Sequence, residues 1–180
     1  KYVAVSTPEV YGNTSENIQE CHEYFPSTPY ATSKLAGELH LFALHKHYNF
    51  PVVFTRSANL YGIHQQLYRI IPRTIIYIKL GKTLDLHGRG EALRSFIHAR
   101  DVADLTFRVI LNGENGGIYH FASEDGLHKI ANIVKLICEL MGYEFRSFVN
   151  LVDENFGQDS LYSLDTTKAK KQLGWKQLVG

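Results

Sequence analysis

The sequence predicts an α/β fold: part of a doubly wound parallel sheet with a small α/β appendage. Three observations predict it. Short apolar runs rich in β-branched residues recur at Tyr2-Val3-Ala4-Val5, Val52-Val53-Phe54-Thr55-Arg56 and Gly117-Ile118-Tyr119-His120-Phe121-Ala122. They read as buried strands. Helical patterns over residues 27–48 and from Asp101 onward separate them, as a parallel sheet requires. The first two runs end in polar residues and glycine, in Ser6-Thr7-Pro8-Glu9-Val10-Tyr11-Gly12 and Ser57-Ala58-Asn59-Leu60-Tyr61-Gly62. The carboxyl ends of strands in open α/β sheets face the crevice where ligands bind.

The chain has 180 residues, enough for one good core or one domain plus a small appendage. It is 44% apolar and 21% charged, an ordinary globular composition. Nineteen basic and 18 acidic residues give a formal charge of +1, so no global field draws it to nucleic acid or a membrane. No apolar run approaches the roughly 20 residues that span a bilayer. Cys21 and Cys138 have no close spacing, which predicts a reduced, cytoplasmic protein rather than a disulfide scaffold. No secretory leader pattern precedes Lys1, where the chain starts almost directly in a strand. Of nine histidines, no pair shows the i, i+4 spacing with a carboxylate that a zinc helix needs. No metal is expected.

The elements follow in order. Residues 13–29 are polar and read as a loop over the crevice. Ser27-Thr28-Pro29 opens a helix over 27–48, with Tyr30 and Lys34 one turn apart on one face. Leu35, Leu39 and Phe42 with Ala43 follow the spacing of a buried stripe, and Asn49-Phe50-Pro51 ends the helix. A second helix begins at Arg69-Ile70-Ile71-Pro72-Arg73 and runs to about Leu80; Pro72 fits its first turn and Gly81 stops it. Leu84 to His87 reads as a strand, Gly88 to Glu91 as a turn, and Arg94 to His98 as an alternating strand. Asp101 is placed as the N-cap of the next helix. Residues 127–141 form an amphipathic helix with Ile130, Val134, Ile137 and Met141 inward and Gly142 as its cap. Phe145 to Val152 reads as extended. A last short helix starts at Asp165-Thr166-Thr167-Lys168-Ala169 and ends at Leu173-Gly174-Trp175.

A tyrosine hydroxyl titrates near pH ~10 and is a poor base at neutrality. An ammonium one helical turn away favours the phenolate. The Tyr30/Lys34 pair therefore suits proton transfer with a sugar or alcohol hydroxyl. A bare Tyr-x-x-x-Lys is common by chance and fits an ordinary surface helix. Its company with Ser-Thr-x-Glu-Val-Tyr-Gly at the preceding strand end is far more specific.

On these two motifs the chain resembles the extended short-chain dehydrogenase/reductase family, in particular its NAD-dependent nucleotide-sugar 4,6-dehydratases and epimerases. The resemblance runs along almost the whole chain and is nearest to proteins like dTDP-glucose 4,6-dehydratase. It implies the C-terminal part of a Rossmann-like sheet over residues 1–62 and 100–124, and a substrate-binding part over 63–99 and 125–180. The Gly-rich first turn of such a fold is absent: Gly88-Arg89-Gly90 is the nearest glycine pair and reads as a turn. The first strand then exposes an unpaired edge, which invites self-association.

The resemblance also implies roles. Tyr30 takes the proton from the sugar 4-hydroxyl, Lys34 holds the nicotinamide ribose, Thr7 bonds the 4-oxygen and Glu9 removes the C5 proton. Tyr30, Lys34 and Ser57 face NAD. Asn59, from a motif in which Ile63 replaces the family's usual proline, contacts the nucleotide-diphosphate sugar, as does Thr7. Arg94 matches an arginine that pairs with the diphosphate, a task suited to a guanidinium. Turn or surface duty is the plain alternative for Asn59 and Arg94. Asp159-Ser160-Leu161-Tyr162 puts leucine where the family often has a phosphate-binding arginine. Many dTDP-glucose dehydratases have Thr-Asp-Glu where this chain has Thr7-Pro8-Glu9, and Pro8 cannot protonate a leaving hydroxyl. Related dehydratases and UDP-glucuronate decarboxylases manage with one glutamate. Dehydratase ranks first, C4-epimerase second and decarboxylase third. In another class stands an inactive fragment or a non-catalytic remnant that binds a nucleotide sugar or a protein. The family also packs the Tyr/Lys helix against a second subunit, which implies a homodimer.

Overall fold

The computed structural model describes residues 1–14, 17–153 and 163–179. Strand β1 (Tyr2–Ser6) runs into a 3-10 turn (Pro8–Tyr11), the two-residue strand β2 (Asn17–Ile18) and helix α1 (Pro29–Tyr48). Strands β3 (Val52–Ser57) and β4 (Asn59–Tyr61) and helix α2 (Ile70–Lys79) follow. Next come β5 (Leu84–His87), β6 (Leu93–Arg94), β7 (Phe96–His98) and α3 (Ala99–Asn112). Strands β8 (Ile118–Phe121) and β9 (His128–Lys129) precede α4 (Ile130–Leu140) and the single turn α5 (Phe145–Phe148). The described elements close with β10 (Val149–Val152), β11 (Ser163–Leu164) and α6 (Thr167–Leu173).

The main sheet is parallel, in the order β1-β3-β8. Residues of β3 and β8 are buried on both faces almost without a break, as a parallel sheet between helices requires. Side chains alternate between those faces. Ala4, Val52, Phe54 and Ile118 pack against Leu41 and Phe42 of α1, with the Phe42 and Phe54 rings stacked at 4.0 Å. Val53, Tyr119 and Phe121 join Leu105 and Val109 of α3, Leu173 of α6 and Trp175. Residues 163–179, grouped on sequence with the substrate-binding part, thus place their buried side chains in the sheet core. A second core joins Ile78, Leu84, Leu86, Val134, Cys138, Phe148 and Val149. It lies between α2, β5, α4, α5 and β10. Among the described residues β1 pairs only with β3, and Tyr2 and Val5 lie exposed at that edge.

Helix α1 begins where the sequence places it. Thr28 caps it by accepting the Ala31 N–H at 3.1 Å, and Pro29 fills its first position. Asn49 ends it in the left-handed conformation, φ 53°. The expected stripe is shifted, however. Leu39 is 50% exposed and Ala43 is exposed, while Ala31 and Glu38 are buried. Glu38 points at the sheet because it meets a buried arginine there, and this turns Leu39 outward. On the exposed side, a Cβ at Gly37 would meet nothing within 4 Å. Gly37→Ala is expected to stabilise the chain by about 0.5–1 kcal/mol by lowering backbone entropy in the unfolded state. A thermal midpoint that does not rise would contradict this.

Four further expectations change. Asp101 is not the α3 N-cap: His98 Nδ1 accepts the Arg100 N–H at 3.2 Å. Asp101 is instead fully buried and accepts the N–H groups of Leu178 (2.6 Å) and Val179 (3.2 Å), tying down the far end of the described chain. Residues 94–98 split at Ser95, because β6 pairs antiparallel with β9 while β7 pairs parallel with β4. Residues 145–148 make a helical turn before the chain becomes extended. The polar stretch 13–29 contains β2, which pairs with β11. Residues 159–162, with Leu161 at the expected arginine position, lie outside the described residues.

Candidate active site

A cleft of about 450 Å³ opens at the carboxyl ends of β1 and β3. Its walls are Val5 to Glu9, Tyr30, Ser57 to Gln66, Arg69 and Ala99. Thr7, Glu9, Tyr30, Ser57 and Asn59, singled out on sequence, therefore meet at one place. Lys34 and Arg94 stand outside the lining.

Local chemistry explains each position. Pro8 opens the 3-10 turn, and the Thr7 hydroxyl accepts the Glu9 N–H at 3.3 Å. Its own O–H remains able to donate into the cleft. Glu9 follows on the same turn and is half-buried. Tyr30, in the first turn of α1, is 54% exposed and faces the cleft. Lys34, one turn on, donates to the Val5 carbonyl at 2.6 Å, which ties α1 to the end of β1 beside the cleft. The Ser6 and Ser57 hydroxyls are buried and, among the described residues, have no hydrogen-bond partner. They lie where β1 and β3 deliver their last side chains.

Asn59 also borders an adjoining hollow of about 260 Å³, with Tyr68, Arg69, Arg94 and Ile130. Arg94 is buried there and donates to the Leu93 carbonyl at 2.8 Å. Arg69 lines both spaces. Sequence reasoning named it only as a helix start; a cation at the N-cap of α2 was the signal for more. Ser6, His64 and Gln65 were also passed over. His64 holds φ 66°, and Gln65 is fixed by donating to the Leu60 carbonyl at 2.6 Å.

Beneath the cleft lies a polar network that sequence reading missed. Arg56, fully buried on β3, makes a two-pronged ion pair with Glu38 of α1; Nε donates to Oε1 at 3.1 Å and Nη2 to Oε2. Nη1 donates to the Tyr11 hydroxyl and to the Cys21 carbonyl at 3.3 Å. Nη2 also reaches the Tyr24 hydroxyl at 3.2 Å. Tyr11 in turn meets His120 Nε2 at 2.7 Å. Burial alone would depress the Arg56 pKa, but the hydrogen bonds and charge of Glu38 outweigh it and hold it above its ordinary value. Burial pushes the Tyr11 hydroxyl up to about 12, against the pull of Arg56.

Burial, with Arg56 nearby, lowers His120 from 6.5 to about 3. The ring is therefore neutral, and because Arg56 Nη1 already donates to the Tyr11 oxygen, the Tyr11 hydroxyl has its own proton to give to Nε2. Between those two pH values the unfolded chain takes up a proton that the folded one refuses. The stability that His120 contributes is complete above pH 6.5 and is lost as pH falls toward 3. Its share is on the order of 2 kcal/mol between pH 6.5 and 5. Urea midpoints should fall across that range and fall less steeply in His120→Gln. Equal slopes would contradict the assignment.

Residues 1–122 match the NAD dependent epimerase/dehydratase family. The chain belongs to that family. A trifunctional UDP-glucose 4,6-dehydratase/UDP-4-keto-6-deoxy-D-glucose 3,5-epimerase/UDP-4-keto-L-rhamnose-reductase of Arabidopsis thaliana is 34% identical over 98% of this chain and 27% of its own length. The dTDP-D-glucose 4,6-dehydratase of Mus musculus is 35% identical over 99% of this chain and 52% of its own. Among solved structures, DesIV, a dTDP-glucose 4,6-dehydratase from Streptomyces venezuelae crystallised with NAD, superposes with a TM-score of 0.93. It is 33% identical, and the match covers 99% of this chain and 55% of that one. UDP-glucuronic acid 4-epimerase from Bacillus cereus, in complex with UDP-glucuronic acid and NAD, gives 0.90 at 25% identity over 99% and 56%. The chain thus spans about half the length of most of these family members. The Rossmann-like fold is theirs, and the family is NAD-dependent.

Proposed function

We propose that the protein carrying this chain is an NAD-dependent nucleotide-sugar 4,6-dehydratase. The observation that carries the reading is that Glu9 lines the same cleft as Thr7 and Tyr30. Of the described lining residues, Glu9 alone carries a carboxyl group. A C4-epimerase has no need of a base at C5.

The residues present fit the nicotinamide end of NAD. The buried hydroxyls of Ser6 and Ser57, without a partner among the described residues, offer donors and acceptors at the cleft floor, and Lys34 stands one turn behind Tyr30 to meet the ribose. When bound there, NAD would supply an acceptor for the C4 hydride and a donor of hydride to C6. Tyr30 takes the proton of the sugar 4-hydroxyl. The Thr7 O–H donates to the resulting C4 oxygen. The C4 ketone acidifies C5–H, and Glu9 removes that proton. The C6 hydroxyl departs as water, taking the proton from Glu9, the carboxyl at hand, and C5 takes a new proton from solvent as hydride adds to C6. Asn59, Arg69 and Arg94 face the sugar and the diphosphate, with guanidinium groups matched to phosphate oxygens. A homodimer through α1 belongs to the same reading, supported by its outward Leu39 and Ala43.

The test is incubation of the full-length protein with dTDP-glucose, and separately UDP-glucose, in deuterated water. A 4-keto-6-deoxy product with deuterium at C5 is expected from one of them. A 4-epimer without deuterium would replace this reading by the epimerase.

A further inference from the structure

Tyr30, Lys34 and Glu38 are spaced by four residues, so they lie on one face of α1. Each of those turns is held differently. Tyr30 stands free in the cleft wall, Lys34 is tied to the Val5 carbonyl, and Glu38 is buried in a two-pronged pair with Arg56. We propose that Glu38 is a positioning residue for the reaction, fixing through Arg56 the height and rotation at which α1 presents Tyr30. The inference rests on the dehydratase reading.

The register of the sheet explains why this pair acts on the site. Arg56 sits opposite Ser6 of β1 and His120 of β8, on the face that α1 covers. Its guanidinium therefore lies under the cleft, at the level where β1 turns into the Thr7–Glu9 segment. The same group holds Tyr11, the last residue of that 3-10 turn, and Tyr11 holds His120. Arg56 is thus shared between the element bearing Tyr30 and Lys34 and the element bearing Thr7 and Glu9. It also begins the segment that runs on through Ser57 to Asn59. A bidentate pair fixes a helix better than apolar contact does, because it sets both distance and angle. Glu38 lies about 12 Å along the helix axis from Tyr30, so a small slide at Glu38 is carried undiminished to the phenol. Misplacing a reacting group by 1 Å costs roughly 10²-fold in rate.

The experiment is steady-state kinetics of the full-length protein carrying Glu38→Gln or Glu38→Asp. It is run well below the unfolding temperature, with the folded fraction fixed by near-ultraviolet circular dichroism. In Glu38→Gln, kcat per folded molecule is expected to fall roughly 10²-fold, while KM and nucleotide-sugar Kd stay within about threefold. Glu38→Asp, which keeps the charge, should recover part of the loss. A residue that only holds the fold would lower the folded fraction and leave kcat per folded molecule intact, and that result overturns the proposal. Should Glu38→Gln not fold, Glu38→Asp carries the test with roughly a 10-fold loss, and unchanged kcat overturns it equally. Tyrosine labelled with 13C at Cζ gives a readout that needs no turnover. The Tyr30 resonance and its pH titration should move between wild type and variant; identical spectra overturn the proposal. If wild type converts no nucleotide sugar but the Tyr30 resonance still moves with Glu38, the dehydratase reading falls and the positioning stands.

Discussion

Tyr30→Phe in the full-length protein is expected to lower turnover by about 10²- to 10⁴-fold with KM little changed. The phenylalanine ring keeps the packing of a half-exposed first-turn residue, so the fold is not at stake. Substrate affinity should persist because, on the proposed reading, Asn59, Arg69 and Arg94 hold other parts of the ligand. On that reading, what is lost is the phenolate oxygen that takes the proton of the sugar 4-hydroxyl. Tyr61 offers an internal control, since it lines the same cleft. Burial raises its pKa, with Asp125 and Asp101 adding to the effect, so its phenolate is scarce at neutral pH. Tyr61→Phe should keep turnover within about tenfold of wild type. Stopped-flow measurement of NADH formation separates the two. Full turnover in Tyr30→Phe would remove Tyr30 from the chemistry and with it the reading of the cleft.

The cleft was legible because its chemistry is written in short, contiguous stretches at strand ends. Thr7 and Glu9 share one turn, Tyr30 begins one helix, and Ser57 and Asn59 follow one strand. The rule that ligands sit beyond the carboxyl ends of parallel strands then brings them together. The support beneath them was not legible. Glu38 and Arg56 are 18 positions apart, and no local pattern reports that an arginine inside an apolar strand needs a carboxylate from the next layer. The 3-4 periodicity of α1 counted Leu39 as inward because hydrophobicity was the only guide, while the ion pair sets the true face. The Asp101 error has the same origin. An acidic residue at a helix start suggests a cap, but its partners, Leu178 and Val179, lie more than 70 residues away. Long-range polar pairing, rather than apolar patterning, is where this sequence was silent.

Glu38→Ala is expected to lower the unfolding free energy by about 3–5 kcal/mol. The cause is not the loss of an attraction alone. Arg56 is fully buried, and without Glu38 its hydrogen-bond partners among the described residues are the Tyr11 and Tyr24 hydroxyls and the Cys21 carbonyl. A buried cation without its counter-charge loses more than the pair ever contributed. Arg56→Met should cost a comparable amount, because it strands the buried Glu38 carboxylate in turn and leaves the two tyrosine hydroxyls short of a donor. The double variant Glu38→Leu/Arg56→Met then separates the terms. If the stranded charge dominates, the double variant is more stable than Glu38→Ala alone, since both desolvation penalties disappear together. It should still fall short of wild type, because Tyr11 and Tyr24 lose the guanidinium that joins the loop before α1 to β3. Urea unfolding of the three variants and wild type measures all of these terms. A Glu38→Ala cost below about 1 kcal/mol would mean that water reaches Arg56. The pair would then be too weak to fix α1, and the positioning of Tyr30 would have to come from the Thr28 cap and the Lys34–Val5 bond instead.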